Sequence, residues 1–173
     1  KEKKLFMERY ICVHTIMMSL EGVPAFYIHS LFGTENDYNL YEKTGRNRSL
    51  NRSKIDFDKM NIEDTNSKES KIYHKLKELL LLRRKQTAFH PNALQFTLHL
   101  GNQLYGVWRQ SIDKTQSIFC ITNVTEETAK LSLLDINLDD YQRWHDLITE
   151  DVLEDNISTI ELRPYQTVWL SNK

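Results

Sequence analysis

Arg46, Arg48 and Arg52 follow a glycine in the segment Thr44-Gly-Arg-Asn-Arg-Ser-Leu-Asn-Arg52. A guanidinium is a planar fork of donors that fits a phosphate, a carboxylate or two sugar hydroxyls. Arg46 and Arg48 flank Asn47, so in a short loop both forks can face one anion, and Arg52 adds a third guanidinium just beyond them. Gly45 frees the backbone to turn, and its amide is a further candidate for holding an oxyanion. His29 closes the apolar stretch that begins at Gly22-Val-Pro-Ala-Phe-Tyr and is a candidate for lining the same site. Each residue also has a plainer reading. Arg52 could tether its loop to a carboxylate, Arg46 and Arg48 could be solvated, and His29 could make a structural hydrogen bond. Asn36 and Asp37 are expected to fix the loop through side-chain bonds to backbone.

Such residues need a frame. Apolar residues over 4–20 surround much of a helical circumference and predict a helix buried on more than one side, with Gly22 as its left-handed cap. Val23 to Ile28 is a short apolar run that reads as a strand buried on both faces, the kind found in parallel sheets and barrels. Residues 30–66 are polar and loop-like, and the stretch from Asp56 to Lys68 lacks periodicity. A second helix is predicted over 68–87, capped by Ser67, with Ile72, Leu76, Leu79, Leu80 and Arg83 on one side. After His90-Pro91 the pattern changes to short alternating strands: 94–100, a Gly101-Asn102 turn, 103–110, 117–123, 128–133, 143–148, 159–162 and 167–170. That series predicts an antiparallel β-sandwich.

The chain has 173 residues, 40% of them hydrophobic, enough for one domain with a core or a small domain plus part of another. Its net charge of −1 creates no field that would gather nucleic acid or an anionic membrane, so neither is expected as a partner. Cys12 and Cys120 lie in apolar runs without CxxC spacing and read as free buried thiols, which suits a cytoplasmic protein. The six histidines show no metal-ligand spacing, and no metal is assigned. Tyr10, Phe26, Tyr27 and Trp108 read as core, and Trp144 and Trp169 as core or as a sugar platform on the sandwich. The chain begins with Lys1 and is expected to be the C-terminal fragment of a longer polypeptide.

Four segments in order carry a resemblance: residues 22–31, Asn36-Asp37, residues 44–52, and Leu82-Arg-Arg-Lys-Gln-Thr-Ala-Phe-His-Pro91. Together they resemble the sucrose phosphorylase branch of the α-amylase-type glycoside hydrolase superfamily, with most likeness to its glucosylglycerate and sucrose 6-phosphate phosphorylases. The resemblance is continuous over about residues 5–110 and weaker through the sandwich. It implies an α+β fragment: residues 1–90 are the last helix, strand and helix of a (β/α)8 barrel, and 91–173 a C-terminal sandwich. It also implies a retaining double displacement by two carboxylates, with inorganic phosphate as co-substrate and no cofactor. The nucleophile, the acid/base and the transition-state carboxylate would precede Lys1, so no catalytic residue is assigned here. Substrate-binding roles fall to Arg52, Arg46, Arg48, Gly45 and His29. The alternatives are a fragment of an amylase-type hydrolase and a non-catalytic carbohydrate-binding module.

Overall fold

Ser67 shows how local sequence sets the frame, since its hydroxyl accepts the Ser70 amide proton at 3.1 Å and caps the longest helix of the chain. The computed structural model describes residues 5–56, 62–64, 66–136, 143–154 and 157–173. Lys1 and part of the expected loop, residues 57–61 and 65, lie outside them. The helices are α1 (Phe6–Ser19), α2 (Ile28–Phe32), α3 (Tyr38–Thr44) and α4 (Lys68–Arg84). The strands are β1 (Leu94–Leu98), β2 (Leu104–Gln110), β3 (Ser117–Asn123), β4 (Ala129–Ser132), β5 (His145–Asp146), β6 (Thr159–Leu162) and β7 (Thr167–Ser171).

Side-chain packing divides the chain into two units: residues 1–24 with 79–173, and residues 25–78. The expected boundary near residue 90 marks the change from helix to strand, whereas this division places α1 with the sheets. In the larger unit, five strands pair antiparallel in the order β1-β2-β3-β7-β5, and β4 pairs with β6 in a second sheet. Alternation puts Phe119, Ile121, Val168 and Leu170 on one face of the large sheet, against Leu131 of β4 and Leu162 of β6. That is the sandwich the alternation predicts. Trp144 joins this core and Trp169 is fully buried on the opposite face, so neither forms a sugar platform.

The opposite face of the large sheet is covered by α1. Cys12, Thr15, Met18 and Ser19 recur at helical spacing and are buried, while Val13 is 63% exposed. The helix is therefore buried along one stripe, not on several sides as its composition suggests. Its cap also differs from expectation. Leu20, in extended geometry, closes the helix through its N–H to the Met17 carbonyl, and the left-handed Gly22 (φ 88°) turns the chain two residues later.

Three long polar side chains anchor α1 to what it covers. The Trp169 indole donates to Ser19 Oγ at 2.9 Å. Arg83 donates to the Met18 and Gly22 carbonyls at 2.8 and 3.0 Å. Arg109, with no exposed surface, donates to the carbonyls of Ser19, His90 and Leu94 at 3.2–3.3 Å. Arg83 was expected on the apolar stripe of the second helix, and it is buried there with Ile72, Leu76 and Leu79, while Leu80 is half-buried.

Two strand expectations change. Val23 to Tyr27 forms no ladder and Ile28 starts α2, so the strand buried on both faces is absent, and Val23 is 78% exposed. A central strand needs a neighbour on each side to satisfy its backbone, and none among the described residues pairs with this segment. The expected strand over 143–148 shortens to β5, because the Asp146 carboxylate accepts the Ile148 amide at 3.1 Å and turns the chain. Asp146 also accepts from Trp169 N–H at 2.8 Å, and burial nevertheless raises its pKa.

Both cysteines are free and buried, as their apolar settings predict. Burial pushes the Cys120 thiol up to about 12 and the Cys12 thiol up to about 11, so both stay protonated at neutral pH. In the native chain at about pH 8, a disulfide-exchange reagent is expected to label neither thiol until denaturant is added. Rapid native labelling of Cys12 would mean that α1 lifts from the sheet.

Candidate functional site

The cationic segment lies in the smaller unit, on a turn that the sequence builds residue by residue. Asp37 accepts the Leu40 amide at 2.8 Å and starts α3, the capping role expected of it. Gly45 ends the helix in the left-handed region (φ 63°), with its N–H donated to the Tyr41 carbonyl at 2.8 Å. The expectation that this glycine allows the turn is met. Its amide, however, is consumed in closing α3 and is not free to hold an oxyanion.

From Arg46 the chain winds into a 3-10 turn over Asn47–Asn51, and Arg52 follows it. Thr44 Oγ1 donates to Ser49 Oγ at 2.8 Å, and the Asp37 amide donates to the Leu50 carbonyl at 2.7 Å. These bonds close the two ends of α3 onto the turn. Ser49 is buried beneath it, and the side chains of Arg46, Arg48 and Arg52 are exposed. Three cations are thus displayed on a backbone fixed from below, which lowers the entropy lost when they bind a ligand.

His29 lies in α2, on the stretch that precedes the turn. Its Nδ1 is 2.7 Å from Thr34 Oγ1, and that hydroxyl donates to the His29 carbonyl at 3.3 Å. The structural bond weighed for His29 therefore exists. The Tyr27 ring stands 5.1 Å from the His29 ring, and its phenol donates to the Asn51 carbonyl at 3.1 Å. Tyr27 thereby joins the His29 stretch to the arginine turn.

Sequence reasoning missed the aromatic residues around this turn. Tyr27, assigned to the core, is 46% exposed, and Tyr38 and Tyr41 on α3 are 62% and 37% exposed. The available signal was the i, i+3 pair Tyr38 and Tyr41 inside a polar stretch, a spacing that puts two rings on one helical face. Exposed rings beside fixed donors are what a sugar's apolar face and hydroxyls require.

No protein-family model matches the chain. In sequence it is similar to glucosylglycerate phosphorylases: 31% identical over 174 residues to that of Spirochaeta thermophila and 34% identical over 169 residues to that of Escherichia coli. Each match takes in 94% of this chain, which spans only 30% and 28% of the respective relatives. Among solved structures, AmyP in complex with maltose is similar with a TM-score of 0.78 at 17% identity, over 99% of this chain and 36% of that one. Trehalose-6-phosphate hydrolase of Bacillus licheniformis matches with a TM-score of 0.72 at 17% identity, over 99% and 40%. The chain is thus similar in sequence to about three tenths of the length of glucosylglycerate phosphorylases, and it shares the fold of the matching portions of AmyP and trehalose-6-phosphate hydrolase.

Proposed function

We propose that the chain is the substrate-binding C-terminal portion of a retaining sugar phosphorylase, which transfers glucose from a sucrose-like or glucosylglycerate-like α-glucoside to inorganic phosphate. The observation that carries this reading is the likeness to phosphorylases along almost the whole chain. The fixed arginine turn supports it. In this scheme Arg52 binds two hydroxyls of the transferred glucosyl unit, Arg46 and Arg48 receive phosphate or an anionic acceptor, and His29 lines the acceptor side. Gly45 contributes the turn geometry and not a hydrogen bond. The attacking and protonating carboxylates belong to polypeptide outside these residues.

The test uses a polypeptide carrying the whole enzyme. Arg52→Ala is expected to lower kcat/KM for the glucoside by more than about tenfold, since a charged contact to the transferred unit is worth roughly 1.5–3 kcal/mol. Arg46→Ala and Arg48→Ala are expected to raise the KM for phosphate while leaving transfer of glucose to the enzyme largely intact. If Arg52→Lys is kinetically silent and only thermal stability falls, Arg52 tethers the loop instead. Phosphate kinetics unchanged in both other variants would remove the anion role.

The hydrolase alternative rests on the amylase-type fold and differs in one measurable respect, because water would replace phosphate as the acceptor. The binding-module alternative is weakened by the burial of Trp144 and Trp169, which removes the platform it would use.

A further inference from the structure

The end of α4 and the turn after it enclose a hollow of about 340 Å³ in the larger unit. Arg83 and Phe89 line it as buried side chains, and Arg84, Lys85, Thr87 and His90 line it as exposed ones. No acidic side chain lines it, although the chain as a whole carries a net charge of −1.

The buried member gives the hollow its meaning. Arg83 is 7% exposed, and its charge is balanced by no carboxylate within ion-pair distance among the described residues. Its partners are two backbone carbonyls, which use two of the five N–H donors of a guanidinium. Burial and the neighbouring Arg109 charge both push its pKa down, and the Phe89 ring lies 5.4 Å from its carbon centre. A buried cation beside a like charge is an arrangement that an anion would relieve.

The C-terminal end of a helix works against an anion with about half a negative charge. Here the carbonyls of the last turn are engaged: Leu82 accepts from the Lys85 amide and the Gln86 side chain, and Arg83 from the Gln86 amide. Arg83, Arg84 and Lys85 outweigh what remains of the dipole.

The geometry points to an anion-binding site formed by Arg83, Arg84, Lys85 and His90, suited to a small molecule bearing a phosphate group. Its volume lies at the low end of the roughly 300–1,000 Å³ typical of small-molecule sites. Several cations around one hollow match a tetrahedral dianion with three or four acceptor oxygens better than a planar carboxylate. The site shares no residue with the Arg46–Arg52 turn and does not depend on the function proposed for it. The phosphate group could arrive as inorganic phosphate or as a sugar phosphate ester.

The 173-residue chain, isotope-labelled, is titrated with inorganic phosphate and with glucose 6-phosphate, with sodium chloride of equal ionic strength as reference. Saturable amide shifts are expected at residues 83–91. Arg84→Glu with Lys85→Glu, both at exposed positions, is expected to weaken them by about tenfold or more. Arg46→Ala with Arg48→Ala should leave them unchanged, so failure of the arginine-turn reading would not disturb this result. Tighter binding of the ester would identify a sugar phosphate, and equal binding inorganic phosphate. The site is overturned if the shifts at 83–91 do not saturate, if chloride reproduces them, or if the double charge reversal leaves the affinity unchanged.

Discussion

Purified as 173 residues, the chain is expected to release no glucose 1-phosphate from glucosylglycerate or sucrose in phosphate buffer. A retaining displacement needs two carboxyl groups about 5 Å apart across the glycosidic bond. The resemblance places these groups before Lys1, and Asp37, at the start of the helix that leads into the arginine turn, is held by the Leu40 amide as a helix cap. Losing a catalytic nucleophile and its base from an enzyme costs on the order of 10⁶-fold in rate, which puts residual activity below detection. Binding of sugar or phosphate is a separate matter and can persist in the same sample. Phosphate-dependent release of glucose 1-phosphate that is abolished by Arg52→Ala in this chain would show that the chemistry lies within these residues, and the proposed division of labour would fall.

Arg109→Met is expected to be the most destabilising single substitution of an arginine here, by about 2–4 kcal/mol. The side chain has no exposed surface, and its removal strips donors from the carbonyls of Ser19, His90 and Leu94. The His90 carbonyl keeps the Ala93 amide at 2.9 Å, whereas a buried carbonyl left without any donor costs about 1–3 kcal/mol. Two effects oppose this loss: the buried charge disappears, and so does its repulsion of Arg83, whose pKa that charge lowers. Methionine fills much of the volume, so the balance is set by the carbonyls. The corresponding fall in Tm is roughly 4–16 °C for a domain of this size. An unchanged Tm would mean that relief of the like-charge pair offsets all three hydrogen bonds.

The parts of this fold that were legible in the sequence are those governed by near neighbours. Ser67 and the Ile72, Leu76, Leu79, Arg83 spacing define α4, and the continuous apolar run from Ile118 to Ile121 marks β3, which is buried on both faces. α2 and α3 were not legible, because helices of 5 and 7 residues are too short to show a period. Val23 to Ile28 misled for another reason: its composition reflects strands that would flank it, and no described residue pairs there. In the site, Gly45 and Asp37 announced the turn through backbone preferences that any fold would obey. The fate of the Gly45 amide was hidden, since it depends on where α3 ends. The burial of Arg83 and Arg109 was equally hidden, because their partners are backbone carbonyls of α1 and the residue 90–94 stretch, and a carbonyl leaves no mark on sequence.

The hydrogen bond from the Trp169 indole to Ser19 joins residues 150 positions apart in the chain. During synthesis α1 is made long before β7, the strand that carries Trp169 and sits between β3 and β5. At translation rates of about 5–20 residues per second, that gap lasts roughly 8–30 seconds. Throughout it, the sheet beneath the Cys12, Met18 and Ser19 stripe lacks β7 and with it the indole that binds Ser19. The packing of α1 on its sheet is therefore completed only after β7 emerges, and until then part of its buried stripe is open to the ribosome surface and to chaperones.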